Sequence, residues 1–211
     1  SITISDIRAG TTRTFTQGLP GGSPPWQLVA ETCDSAVGTQ LNTLSRSLTI
    51  TVSPGAHVTC TFFNAQFLPD ALVSTARSGP FSGDEVRSDS ILAEQTVEES
   101  VSADGRTTTM VVKVQNDTPL TDDLVITGFE SGNGGFATTY RSGGVDITDQ
   151  VLSPEGFRFE DLGVGGERLI AIDFTSLTGS VPGTARKVDL GGRSGTAPDA
   201  VDVGRVRARP G

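Results

Sequence analysis

Apolar and polar residues alternate in short runs along most of the chain, and clusters of glycine, proline and small polar residues cut the runs apart. Ile2-Thr-Ile4, Thr12-Arg-Thr-Phe15 and Leu48-Thr-Ile-Thr-Val52 carry the two-residue period of a half-buried strand. Leu19-Pro-Gly-Gly-Ser-Pro-Pro25 and Ser53-Pro-Gly-Ala56 punctuate them as turns. Trp26–Cys33 and Val58–Phe62 are two further β-like runs. From residue 71 onward the pattern repeats on a larger scale. It predicts strands at Ala71–Ala76, Thr96–Ser102, Thr107–Gln115, Asp123–Phe129, Phe136–Arg141, Val145–Leu152, Gly156–Asp161, Arg168–Phe174, Thr184–Leu190 and Val201–Ala208. Met110–Val114 and Leu169–Phe174 are the most core-like of these. No segment keeps a helical period, and residues 84–95 are the one place left for a short helical turn. Gly191–Thr196 reads as a loop. Short strands at this spacing predict an all-β chain of β-sandwiches.

The chain is long enough for one large or two small domains. A boundary is expected near Phe67-Leu-Pro69, giving a domain at 1–67 and an immunoglobulin-like domain at 68–211 in tandem. Charge supports the division. The net charge is −9, yet residues 1–67 balance Asp6, Glu31 and Asp34 against Arg8, Arg13 and Arg46, so the negative excess lies after residue 67. An acidic surface disfavours nucleic acid and anionic lipid as partners. No apolar run is long enough to cross a membrane. The N-terminal Ser-Ile-Thr-Ile lacks a signal-peptide pattern, which implies that such a segment is absent or already removed. Arg205, Arg207 and Arg209 alternate along the last strand and read as a solvated edge.

Cys33 and Cys60 are the only cysteines. They are read as one disulfide, which places the chain in an oxidising compartment, secreted or at a cell surface. The alternative is two buried thiols.

Thr12-Arg-Thr-Phe15, Leu19-Pro-Gly, Trp26-Gln-Leu-Val-Ala-Glu31-Thr, Leu48–Ala56 and Thr59-Cys-Thr-Phe-Phe-Asn64 follow one another in an order that resembles the prealbumin-like modules of bacterial surface proteins, the collagen-adhesin B-type or SpaA-type repeats. The resemblance covers most of residues 10–66. Such modules begin with one or two more strands than this chain shows. The shortfall implies either a fragment or a fold completed by a strand from a neighbouring subunit. Ile2, Ile4 and Ile7 in one segment, and Val201, Val203 and Val206 in another, are the candidate donors, against an ordinary strand within the same domain. Many family members join a first-strand Lys to a last-strand Asn with help from a Glu. Glu31 and Asn64 match the Glu and Asn, but residues 1–67 contain no Lys. The only lysines are Lys113 and Lys187. The second domain is similar to immunoglobulin-like or fibronectin-like modules of large secreted bacterial proteins, on Val114-Gln-Asn116 after a strand and on general pattern.

Catalytic chemistry is sparse. His57 is the only histidine, too few for a triad or a histidine metal site. No nucleophile elbow or phosphate loop occurs, and the glycine clusters lack the helix and lysine that phosphate binding needs. No cofactor is expected. Asp117, Asp122 and Asp123 share one predicted loop, which leaves a calcium ion as the one metal reading, against solvated acids. Asn116-Asp-Thr118 is a glycosylation sequon in what reads as an accessible loop. Trp26 beside Pro24-Pro25 is the candidate exposed aromatic, against a core Trp packed near the disulfide.

These features predict a non-enzymatic structural subunit of a secreted or surface assembly, with self-association into a fibre as the favoured form. The rivals are an adhesion module for a protein or glycan, and an accessory domain of a secreted enzyme.

Overall fold

The computed structural model describes residues 10–22, 26–34, 37–102, 105–132, 135–177 and 185–211. The chain divides into two compact units, 1–66 and 67–211. It is all-β apart from one four-residue helix among the described residues.

The first unit holds β1 (Thr12–Thr16), β2 (Trp26–Cys33), β3 (Val37–Asn42), β4 (Ser47–Thr51) and β5 (Cys60–Gln66). They form a three-stranded sheet in the order β1-β4-β3 and a two-stranded sheet β2-β5. The alternation seen in the sequence explains β4: Leu48 and Ile50 are buried while their neighbours are only half covered. With Val52 they make the core, and Phe15, Cys33, Val58, Cys60 and Phe62 pack against it. β3 lies in a stretch whose sequence pattern predicts no strand.

The second unit is a sandwich. Its strands are β6 (Pro69–Ser74), β7 (Thr96–Val101), β8 (Thr107–Asn116), β9 (Asp122–Ser131), β10 (Phe136–Ser142), β11 (Val145–Asp146), β12 (Phe157–Leu162), β13 (Glu167–Ser176), β14 (Arg186–Ser194) and β15 (Val201–Pro210), with helix α1 (Thr148–Val151) between β11 and β12. One sheet runs β11-β10-β13-β8-β6 and the other β12-β9-β14-β15-β7. Taking β6, β8, β9, β10, β13, β14 and β15 as strands A to G places A-B-E-D on one sheet and C-F-G on the other, the immunoglobulin arrangement. All pairings in the two sheets are antiparallel except β7 with β15, which is parallel over six residue pairs. The core lies between the sheets. Met110, Val112 and Val114 of β8 and Ile170, Ile172 and Phe174 of β13 meet Leu124, Ile126, Val188, Leu190 and Val206 from the opposite sheet.

Four sequence expectations change here. Val145–Leu152 is not one strand. Asp146 Oδ1 accepts both the N–H and the hydroxyl of Thr148, which turns the chain and starts α1. Residues 84–95 hold turns and no helix. Gly191–Ser194 is strand, because β14 is paired on both sides, to β9 and to β15, and that context outweighs the weak strand preference of glycine. The arginines of β15 do not form a solvated edge. β15 is an inner strand, and Arg205 pairs with Asp189 while Arg207 and Arg209 both reach Glu98.

Candidate functional site

Cys33 and Cys60 form a disulfide, with sulfurs 2.07 Å apart, at one end of the β2–β5 ladder. Trp26 pairs with Gln66 at the other end. At about 3.3 Å per residue the tryptophan stands on the order of 20 Å from the bridge. It is half-buried, so it is not a core residue packed on the disulfide. Glu31 lies opposite Phe62, and Asn64 opposite Leu28. Direct cross-strand partners share a face, so both polar residues lie on the face that Phe62 and Leu28 turn to the interior. Asn64 Oδ1 is buried and has no hydrogen-bond partner. Glu31 Oε2 sits 3.2 Å from Cys33 Sγ. Glu31, Cys33 and Cys60 form the one three-residue cluster of metal-ligand types among the described residues. Its two sulfurs are bonded to each other and are not thiolate ligands.

The acidic loop is dispersed rather than convergent. Asp117 takes Arg87 at 2.6 Å and the amide of Gln115 at 2.7 Å. Asp122 accepts the Thr196 N–H. Asp123 accepts the Asp161 N–H and pairs with Arg158, which together hold its carboxyl below the usual range. Three carboxylates facing different partners do not make the oxygen cage calcium takes. Asn116 is not accessible: it is fully buried, and its amide donates to the carbonyls of Leu120 and Leu162 while Oδ1 accepts the Thr118 N–H. His57 is exposed, in the segment before β5.

A buried polar cluster ties the two sheets of the sandwich together. Asp202 of β15 accepts the N–H groups of Ala71 and Ser88 at 2.7 Å each. Gln95 Nε2 donates to the same carboxylate and to the Val86 carbonyl. Asp70, also buried, accepts the Glu85 N–H. Burial raises the pKa of both acids, that of Asp70 to about 7, and the neighbouring Asp202 charge adds to the effect on Asp70. A second cluster gathers on Glu130, which accepts the Tyr140 hydroxyl at 3.0 Å, the Thr138 hydroxyl and the Arg186 guanidinium. Burial pushes the Tyr140 hydroxyl far above its ordinary pKa. Both clusters are held mainly by structural partners, although Asp70 Oδ1 and Gln95 Oε1 in the first and Arg186 Nε in the second are buried without a hydrogen bond.

The outer face of the β12-β9-β14-β15-β7 sheet is different. A trough of about 430 Å³ runs across it. Two cross-strand rows define it. In one, Asp189 of β14 lies opposite Phe129 and Arg205; in the next, Gly191 lies opposite Thr127 and Val203. Leu152 and Pro154, after α1, also line it. Phe129 is 66 % exposed, at a position where β9 has run past its pairing with β12 and is bonded to β14 alone.

Of the candidate donor residues, Ile2, Ile4 and Ile7 lie outside the described residues, as do Pro24 and Pro25 beside Trp26. Val201, Val203 and Val206 belong to β15, hydrogen-bonded to β14 and β7 within the chain's own sheet. Val206 is fully buried in the core, and Val201 and Val203 line the trough. β7 covers β15 only from Arg205 to Pro210, and ahead of it the Val203 N–H donates to the Ser88 carbonyl.

No family model matches the chain, and no curated protein matches it. Among solved structures it is similar to the ASH/PapD-like domain of human CEP192 (PapD-like domain 7), at 13 % identity and a TM-score of 0.33, over 55 % of this chain and 80 % of that one. A second is a structure of manganese lipoxygenase of Gaeumannomyces graminis with a partial structure of zonadhesin of Komagataella pastoris, at 12 % identity and a TM-score of 0.24, over 95 % and 81 %. At these scores neither likeness carries an argument. The class of the second unit, an immunoglobulin-like β-sandwich, rests on its strand order.

Proposed function

We propose that the chain is a structural module of an extracellular assembly, joined to its neighbours through strand edges and serving neither catalysis nor cofactor binding. One observation carries the reading: the β2–β5 sheet has two strands, and among the described residues neither outer edge pairs with a third. Two strands alone are marginal in water. The fully buried core beneath them is small, with Leu48, Ile50 and Val52 at its centre. A third strand would add backbone hydrogen bonds and apolar cover at once. In this reading a neighbouring copy supplies it, and the segment carrying Ile2, Ile4 and Ile7 is the donor.

The same reading makes the first unit a prealbumin-like module of a bacterial surface protein. Glu31 and Asn64 on one inner face support this. With no lysine in residues 1–67, the Cys33–Cys60 bridge takes the cross-linking role. The disulfide also supports a secreted or surface location.

Electron microscopy and light scattering of the purified chain test the proposal. Filaments, or masses at multiples of 21.9 kDa that collapse to monomer when residues 1–7 are deleted, are expected. A monomer at all concentrations would overturn it.

A further inference from the structure

We propose that the trough on the outer face of the β12-β9-β14-β15-β7 sheet binds an uncharged sugar ring, seated over Gly191 and against Phe129. The glycine is the first reason. Gly191 sits in the middle of an inner strand, where glycine weakens a sheet and often marks close approach of a ligand or another backbone. Packing does not require it. A Cβ there would meet nothing nearer than Val203 Cγ2 at 3.6 Å and Thr127 Oγ1 at 3.7 Å, which are ordinary contacts. Gly204, on the inner face of β15, differs: its Cβ would stand 2.6 Å from Val73 Cγ1, so the sandwich itself demands glycine. Gly191 is itself buried between its neighbours, yet it leaves room for a Cβ that the fold has no need to keep clear.

The chemistry around that space selects the ligand. Phe129 offers an aromatic ring to solvent beside the open floor. Next to it, Asp189 receives Arg205 through two parallel bonds, Nε to Oδ1 at 2.5 Å and Nη2 to Oδ2 at 2.7 Å. Each carboxylate oxygen retains a lone pair, and the guanidinium retains N–H groups, after this pairing. The pair has no net charge, so it favours a neutral partner over an ionic one. It presents adjacent fixed acceptors and donors, which suit the neighbouring hydroxyls of a sugar, and Thr127 adds a hydroxyl of its own. A hexose also carries a face of C–H bonds that suits an aromatic platform. A purely apolar side chain in the trough would instead cover the Thr127 hydroxyl and the remaining lone pairs of Asp189 without a hydrogen bond, at a cost in free energy. The volume is in the range of small-molecule sites.

The test is an amide NMR titration of the full chain with maltose, cellobiose, lactose, mannobiose and chitobiose at millimolar concentration. At least one sugar is expected to shift the amides of Thr127, Phe129, Gly191 and Val203 together. Gly191→Val, which fills the floor, and Phe129→Ala, which removes the platform, are each expected to weaken that sugar by about tenfold or more. Phe63→Ala, an exposed phenylalanine of the first unit, is expected to leave it unchanged. Three results would overturn the proposal: no shift with any sugar, shifts that survive both trough variants, or a loss of oligomer mass in Gly191→Val that assigns the trough to a contact between copies.

Discussion

Asp202 on one sheet accepts the backbone N–H of Ala71 on the other at 2.7 Å, a hydrogen bond between residues 131 apart in sequence. Sheets of a sandwich ordinarily meet through side-chain packing alone. Here a buried carboxylate joins them and also holds Ser88 and Gln95 of the segment between β6 and β7. Asp202→Ala removes the acceptor from three buried or half-buried donors. Each orphaned donor costs about 1–3 kcal/mol. The urea midpoint should fall by an amount equivalent to about 3 kcal/mol or more, and the loss should be larger than for Gln95→Ala, which removes one of the donors.

Asp70 gives that region a dependence on pH. Its carboxyl is raised from 3.8 to about 7 by burial in the folded chain, with Asp202, Asp117 and Arg87 as the charges facing it. A carboxyl raised by folding stabilises most when protonated in both states, and its contribution is lost as pH rises through the folded value. Glu85, Asp123 and Asp146 have lowered pKa values and act in the opposite sense at more acidic pH. Stability should therefore rise toward about pH 4 and decline toward pH 7. Denaturation of Asp70→Asn across this range should show a flatter decline.

The first unit depends on its bridge. The cysteines are separated by 27 residues in sequence. Closing a loop of this length stabilises by about 3–4 kcal/mol in the chain-entropy model. With so small a core, Cys33→Ser with Cys60→Ser should leave residues 1–66 open to protease while 67–211 stays resistant, read by mass spectrometry of the fragments.

Two glycines in neighbouring strands should respond oppositely to valine. Gly204→Val drives a side chain into Val73 and should cost about 1–3 kcal/mol by overpacking. Gly191→Val has room and a better strand former, and should be neutral or stabilising by up to about 1 kcal/mol. Thermal melts of the two variants decide it.

Strand-rich character was legible where one sheet face is buried and the other wet, as at Leu48–Thr51, and in the short apolar run Met110–Val114, which is buried on both faces at Val111 and Val112. It failed where long-range partners decide. Nothing in Gly191-Gly-Arg-Ser194 looks like strand until β9 and β15 are placed on either side. α1 was marked only by the short-range bond from Asp146 to Thr148. Asn116 looks like a surface sequon, because the partners that bury its side chain include the Leu162 and Gly163 carbonyls, 46 and 47 residues away. The cysteine pair could be read directly, since two cysteines allow one bridge. The trough could not: Phe129, Asp189 and Arg205 come from three strands, and only the register sets them in one row.

The parallel pairing of β7 with β15 has a mechanical consequence. Tension on the two ends of the second unit pulls β15 through its C-terminus and, once β6 has parted from β8, pulls β7 through the segment that precedes it. Parallel strands drawn in these opposing directions load all six of their residue pairs, Arg205 with Thr96 through Pro210 with Val101, in shear at the same moment. An antiparallel hairpin pulled from its open end parts one bond at a time. A chain so arranged resists stretching until the whole row ruptures, and the Arg207 and Arg209 contacts with Glu98 straddle the plane of slip.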